Sequence, residues 1–122
     1  MEKENVILEK SYKFSLRIIK LYKYLCEDKK EYILSKQILR SGTSIGANIN
    51  ESQSAESKSD FIHKLGIAAK EIRETEYWLR LLKDSHYIES NSFESIIEEC
   101  NELKKNYKQH YINLQKVLTI AR

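Results

Sequence analysis

Proline is absent from this chain of 122 residues, and glycine occurs only three times. Proline removes a backbone donor and clashes with the preceding helical turn, so its absence permits long uninterrupted helices. The two cysteines, Cys26 and Cys100, have no close-spaced partner set, which excludes a dense disulfide scaffold and predicts reduced thiols. No apolar run approaches the roughly 18 residues of a membrane span. We therefore expect neither a disulfide-stapled secreted domain nor a membrane partner.

Charged residues make up 32% of the chain and hydrophobic residues 41%, a balance typical of a soluble helical protein rather than a disordered one. The length indicates one domain that comprises residues 1–122. The first residues, MEKENV, are charged and lack the apolar core of a signal peptide. We therefore expect a cytoplasmic protein.

Apolar residues recur at helical spacing in four segments, which predict helices over about residues 6–27, 33–52, 59–83 and 92–120. Asn5 is the expected N-cap of the first helix, and capping boxes are expected at Ser57–Asp60 and Asn91–Glu94. Because the connectors are short, consecutive helices should run antiparallel. The predicted fold is all-α, an antiparallel up-down-up-down four-helix bundle. The inward seam of the last helix is expected to contain Ile96, Cys100, Leu103, Tyr107, His110, Leu114 and Val117.

The polar stretch LRSGTSIGANINESQSAE, residues 39–56, interrupts this simple amphipathic pattern. Gly42 and Gly46 stand four apart and share one helical face. Each glycine costs about 1 kcal/mol relative to alanine inside a helix, a cost that is offset where another backbone approaches closely. We predict a continuous helix whose glycine face packs tightly against another helix. The alternative is a break, in which Gly42 ends one helix and Thr43 or Ser44 begins the next.

Polar and charged residues beside the apolar seams predict a network between the second and third helices. Buried polar groups need hydrogen-bond partners, and facing helices of opposite charge can supply them. The expected members are Arg40, Asn48, Glu51, Glu71 and Glu74. The alternative is that the glutamates of the third helix are simply solvated.

No arrangement of residues in the chain is specific for catalysis or for a cofactor. The Glu-x-x-His pair of a di-metal carboxylate bundle does not occur, so no metal is expected. Arg80 and His86 have the spacing of a class of all-helical ribonucleases, in which such a pair combines a phosphate-binding cation with a general base. Leu81 replaces the polar residue usual in those enzymes, so a helix-end arginine and a connector histidine are favoured. We expect a non-enzymatic protein without a cofactor.

The formal net charge is only +3, but the basic residues are distributed unevenly. Residues 10–23 and 103–122 contain basic residues and no acid. If the fourth helix lies beside the first, their lysines form one candidate nucleic-acid surface, with nearby tyrosines available to stack on bases. The alternative is a solvated face that only aids solubility. The candidate residues are Lys10, Lys13, Arg17, Lys20, Lys104, Lys105 and Lys108.

The segment LRSGTSIGANINE, followed by SKSDFIHKLGIAAKEIRETEYWLRLL, resembles the 23S rRNA intervening-sequence protein family. These are small bacterial four-helix bundle proteins, related to the accessory proteins of diversity-generating retroelements. The resemblance extends from about Asn5 to the last helix, and its most specific part is Ser41–Asn48 with Glu51.

The resemblance implies a homopentamer whose subunits form a ring or barrel. The broad apolar face of the first helix independently favours contact with another subunit. The retroelement relatives bind nucleic acid and a reverse transcriptase through basic surfaces, although this chain is only weakly basic. Two hypotheses follow: an accessory protein that binds RNA or DNA, and an oligomeric scaffold that recruits a protein partner such as a reverse transcriptase.

Overall fold

A computed structural model of the chain describes the backbone of residues 2–121 and the side chains of residues 6–113, 115 and 116. It contains four helices, α1 (Glu2–Glu27), α2 (Leu34–Ser52), α3 (Lys58–Asp84) and α4 (Ser90–Ala121). Residues 2–121 contain no strand, so the all-α prediction is confirmed. The stretch around the two glycines lies within α2, which is continuous as predicted. None of the described helices combines the length and apolarity needed to cross a bilayer.

Neighbouring helices run antiparallel, because contacts between them pair rising residue numbers on one helix with falling numbers on the next. The pairs that show this are Cys26–Ser35 and Ser11–Gly46 between α1 and α2, Ser41–Thr75 and Glu51–Lys64 between α2 and α3, Phe61–His110 and Lys83–Phe93 between α3 and α4, and Lys10–Glu102 with Arg17–Glu99 between α1 and α4. The α1–α4 pairing closes the bundle and is the loosest of the four.

The core is one cluster of apolar side chains from all four helices. Ser11 is the polar gap in the α1 seam and is itself buried. Its Oγ donates to the Leu8 carbonyl over 3.1 Å, which removes the cost of burying an unsatisfied hydroxyl. On α4, the inward positions Ile96, Cys100 and Leu103 are buried. The predicted inward residues Leu114 and Val117 lie outside the described side chains.

One predicted helix cap is present, and two are wrong. Ser57 is the N-cap of α3, and its Oγ accepts the Asp60 N–H over 3.0 Å. The Asp60 carboxylate accepts the Glu56 N–H over 3.4 Å instead of that of Ser57, so only half of the predicted capping box forms. Asn5 and Asn91 instead lie inside helices, because α1 begins at Glu2 and α4 begins at Ser90. The residues before each asparagine are themselves helical. The preference of asparagine for the N-cap position therefore does not determine where α1 and α4 begin.

The α2 helix begins without a capping bond from its N-cap residue, Ile33. The Glu31 carboxylate instead accepts three backbone N–H groups, from Ile33 at 3.2 Å, Leu34 at 3.0 Å and Ser35 at 2.8 Å. Burial alone would raise the pKa of Glu31, but these hydrogen bonds outweigh burial and hold its pKa below the ordinary value. A carboxylate at a helix N-terminus also complements the helix dipole. Glu31 therefore fixes the start of α2.

Candidate nucleic-acid interface

The predicted basic stripe on α1 meets acidic residues of α4. Lys10 pairs with Glu102, and Arg17 pairs with Glu99. A second guanidinium nitrogen of Arg17, Nη2, donates to the Ser95 hydroxyl over 2.8 Å. These contacts exist because α4 turns its acidic side toward α1. Half of the predicted stripe is therefore partly neutralised by the neighbouring helix.

The other two residues of the α1 stripe differ from each other. Lys13 Nζ lies 2.9 Å from a carboxylate oxygen of Glu9, one turn earlier in the same helix. This hydrogen bond and the lysine charge lower the pKa of Glu9. Lys20 is exposed and pairs with no carboxylate among the described side chains. The stripe is thus a set of surface ion pairs with one unpaired lysine.

Two of the three α4 lysines, Lys104 and Lys108, lie toward α3 and do not extend this stripe, which corrects the prediction for these two residues. Lys104 Nζ lies 2.6 Å from Glu76 Oε1 of α3, and Lys108 lines a groove between α3 and α4. Lys105 is exposed. For Lys104 and Lys108 the prediction failed because the sequence does not give the rotation of α4 about its axis: Ser95, Glu99 and Glu102 occupy the side that meets α1.

The α3–α4 groove has a volume of about 270 Å³ and is lined by Ala69, Ile72, Arg73, Lys104, Tyr107 and Lys108. Arg73 and Lys108 pair with no carboxylate among the described side chains. Gly66, one turn before Ala69, is exposed, and a Cβ added to it would meet no atom within 4 Å. Three cations therefore border one apolar groove.

Tyr107, which lines the α4 side of this groove, belongs to an aromatic pair. The rings of Tyr107 and Tyr111 are stacked, with centroids 6.1 Å apart and planes inclined by 20°. Burial and the neighbouring Tyr111 raise the pKa of Tyr107, against the opposing effect of Arg73. The Tyr107 phenol therefore keeps its proton at neutral pH and can donate a hydrogen bond.

Arg73 is the groove residue that sequence reasoning missed. It lies four residues after Ala69 and seven after Gly66, so all three share one helical face. A basic residue that follows two small residues at this spacing could have indicated a cationic groove. The sequence analysis named the α4 lysines as candidates but placed them beside α1, whereas Lys104 and Lys108 border the groove with α3.

The glycine face of α2 packs against α1. A Cβ added to Gly42 would lie 2.7 Å from Ile18 Cγ1, and one added to Gly46 would lie 3.2 Å from the Ser11 carbonyl oxygen. Side chains larger than hydrogen would force these groups apart. The two glycines thus set how closely α1 and α2 approach.

The predicted network between α2 and α3 forms only around Arg40. Its guanidinium pairs with Glu71, over 3.1 Å, and with Glu74. Asn48 does not join this group, because its Nδ2 donates to the Ser44 carbonyl of its own helix over 2.8 Å.

Glu51 is also separate from the Arg40 group. It pairs with Lys64 of α3 over 3.0 Å, and this pair raises the pKa of Lys64. The five predicted residues therefore form two ion-pair clusters and one local hydrogen bond. The antiparallel register of α2 and α3 sets this division, since Arg40 faces residues 71–74 while Glu51 faces residue 64.

The residues of the ribonuclease-like spacing occupy ordinary structural positions. Arg80 is exposed on α3. His86 has a φ of 67° just after α3, where a left-handed residue commonly ends a helix. Among the described side chains, no three His, Cys, Asp or Glu residues are grouped as a metal site requires.

The whole-chain comparisons agree with this architecture. Residues 3–109 match the family model described as 23S rRNA-intervening sequence protein. The chain belongs to this family. The matched region contains nearly all of α1, all of α2 and α3, and most of α4.

A solved relative of this intervening-sequence protein comes from Bacteroides thetaiotaomicron. It is a crystal structure of a protein with unknown function from the S23 ribosomal protein family, 52% identical to this chain. The match covers 88% of this chain and 96% of the relative, with a TM-score of 0.87. No curated protein matches the chain.

Proposed function

We propose that this protein is a non-catalytic, cytoplasmic homo-oligomer that binds nucleic acid through a basic surface. The observation that carries the proposal is the α3–α4 groove, where Arg73, Lys104 and Lys108 surround an apolar floor beside Tyr107. Cations supply phosphate contacts, and aromatic rings supply stacking surfaces. This combination favours nucleic acid over a purely acidic partner, which would need no ring.

Assembly would strengthen a surface that is weak on one subunit. The net charge per chain is only +3, but each additional subunit repeats the basic surface and raises the local potential. The α1 stripe takes part in this proposal as a secondary site. Exposed ion pairs contribute at most about 1 kcal/mol, so phosphates can compete for Lys10, Lys13 and Arg17.

The exposed side of α1 supports the proposed self-association. Val6 is 43% exposed, Tyr12 66% and Leu16 47%, so α1 presents apolar side chains to solvent alongside the exposed Lys13 and Lys20. Burying these apolar side chains against a second copy of the chain would favour association, because it removes apolar surface from water. We take the subunit number, five, from the family resemblance alone.

Charge-reversal variants test the nucleic-acid proposal. One variant changes Lys104, Lys105 and Lys108 to glutamate, and the other changes Lys13, Arg17 and Lys20. Wild type should bind labelled RNA or DNA at about 50 mM salt, with an affinity that falls steeply as salt rises. The α4 variant should lose binding, and the α1 variant should weaken it. Circular dichroism and light scattering provide the fold and assembly controls.

Two results would contradict the proposal. Unchanged binding in both variants would exclude the basic surface as the nucleic-acid-binding site. No binding by wild type at about 50 mM salt would favour the scaffold hypothesis, in which the oligomer recruits a protein partner such as a reverse transcriptase.

A further inference from the structure

We infer that the α3–α4 groove takes single-stranded nucleic acid, with a base against Tyr107 and the adjoining phosphates on Arg73 and Lys108. This inference rests on the proposed function and adds to it a location, a strand type and a stacking residue. Each element of the inference comes from a separate feature of the groove.

The first feature is the position of the cations. Arg73 comes from α3 and Lys108 from α4, so they border the same groove from opposite sides. Neither pairs with a carboxylate among the described side chains. Lys104 is partly neutralised by Glu76, at 2.6 Å, and we therefore assign it a supporting part. A strand that lies in the groove would meet an unpaired cation on each side.

The second feature is the ring surface. Tyr107 lines the groove, and its ring is stacked with that of Tyr111. Stacking on aromatic side chains is tolerant of sequence because every base has a π-face. The Arg73 guanidinium is itself planar and can stack on a base or bind a phosphate. An acidic peptide would use the cations but leave this ring surface without a role.

The third feature is the size of the groove. Its volume, about 270 Å³, falls just below the roughly 300–1,000 Å³ of ordinary small-molecule sites. A single planar group fits such a space better than a complete cofactor. In a duplex, both faces of a base are covered by its neighbours, so only an unpaired base can be splayed out onto a protein ring. The groove therefore favours single strands over duplexes.

Fluorescence anisotropy of the full-length protein tests the inference. The probes are a short labelled oligouridylate, the matching oligothymidylate, and each of them annealed to its complement. We expect each single strand to bind about tenfold more tightly than its duplex. Free uridine monophosphate should compete weakly, because it supplies one phosphate and no neighbouring phosphate contact.

Variants of the groove separate its two contributions. Arg73→Gln with Lys108→Gln should weaken single-strand binding and flatten the salt dependence by roughly 0.7 per lost phosphate contact. The matched control, Lys23→Gln with Lys36→Gln, removes the same charge from exposed positions on α1 and α2 and should bind nearly like wild type.

Ring variants test stacking separately from charge. Tyr107→Phe keeps the ring and should bind like wild type, whereas Tyr107→Leu should bind about tenfold more weakly. Ala69→Leu fills the groove while leaving the ring in place, and should weaken binding by a similar factor. If the melting temperature of Tyr107→Leu shows that this variant does not fold, binding by Ala69→Leu becomes the decisive measurement.

The outcomes distinguish this inference from the proposed function. If wild type binds no nucleic acid, both fail. If it binds but the groove variants match the control, or if duplexes bind as tightly as single strands, the inference fails while nucleic-acid binding stands. A lower oligomeric mass in the Arg73 and Lys108 variant would show that the groove is a contact between subunits, and would overturn the inference.

Discussion

The Glu31 carboxylate accepts hydrogen bonds from three backbone N–H groups at the start of α2. In most helices, the N-cap side chain and water accept hydrogen bonds from these groups. Glu31 is 9% exposed, and its hydrogen bonds keep the pKa of the carboxyl below the ordinary value. Hydrogen bonds to a charged group contribute more than neutral ones. Ionisation of Glu31, in the α1–α2 connector, therefore strengthens the hydrogen bonds that hold the first turn of α2.

Glu31→Gln should lower the free energy of unfolding by about 1–2 kcal/mol at about pH 7. The pKa of Glu31 is lower in the folded state than its ordinary value of 4.5. The stabilisation is therefore complete above the unfolded pKa and is lost as pH falls through the lower folded pKa. Urea unfolding at several pH values should show the difference between wild type and variant shrinking with acidification.

Glu98→Gln provides the matched control for this charge change. Glu98 is exposed on α4 and pairs with no described cation. Equal stability of the two glutamine variants at neutral pH would show that Glu31 does not anchor α2.

The two cysteines should differ strongly in reactivity. Cys100 is fully buried, and burial is the main cause that raises its pKa to about 12. Cys26 is partly exposed. Since the thiolate is the reactive form, a thiol reagent such as Ellman's should modify Cys26 first and Cys100 only after unfolding. Rapid modification of folded Cys26→Ser protein would contradict this assignment.

At the scale of elements, the three glycines occupy three different environments. Gly42 and Gly46 lie where α2 meets α1, whereas an added methyl at Gly66 would meet open space. Glycine weakens a helix through backbone entropy wherever it occurs. Its benefit depends on what lies opposite, so the same substitution should have opposite effects at different positions.

Gly42→Ala should destabilise the protein, and Gly66→Ala should stabilise it by about 1 kcal/mol. At Gly42, the new Cβ meets the fully buried Ile18 side chain, and overpacking of roughly 1–3 kcal/mol outweighs the gain in helix propensity. Gly46→Leu should destabilise the protein further, since the Ser11 backbone lies opposite. Thermal unfolding of the three variants gives their order of stability. A Gly42→Ala protein as stable as Gly66→Ala would show that the α1–α2 contact is loose.

At the scale of the whole molecule, the four helices bury one core but leave several large apolar side chains exposed. On α1 these are Val6, Tyr12, Tyr24 and Leu16. Scattered exposed apolar residues are ordinary, whereas a group on one element indicates a contact surface. Tyr12 and Leu16 are one turn apart and are 66% and 47% exposed, so no other helix of the same bundle covers them.

Leu16→Glu should reduce the proposed oligomer to smaller species while leaving its helix content unchanged. The matched control is Ile112→Glu on α4, because Leu16 and Ile112 are both 47% exposed. Light scattering at micromolar protein and physiological salt measures the mass, and a pentamer is expected for wild type. A monomeric wild type, or dissociation by Ile112→Glu alone, would refute assembly through α1.

Much of the fold is determined by the sequence itself. The absence of proline and the helical recurrence of apolar residues specify the four helices, because both act within a few turns of chain. The same periodicity places Ile18 and Ile45 in the core, and both are fully buried. It also specifies a tight contact at Gly42 and Gly46, since only close approach of a neighbour offsets their cost.

Only the tertiary structure decided which surfaces meet. Rotation of each helix about its axis, and its register against its neighbours, depend on side-chain packing across the whole core. Rotation of α4 brings Glu99 against Arg17 and places Lys108 beside Arg73 of α3. These residues are far apart in sequence, so no local pattern could pair them. The sequence therefore specified helices with basic faces, and the packing of α3 against α4 created the groove.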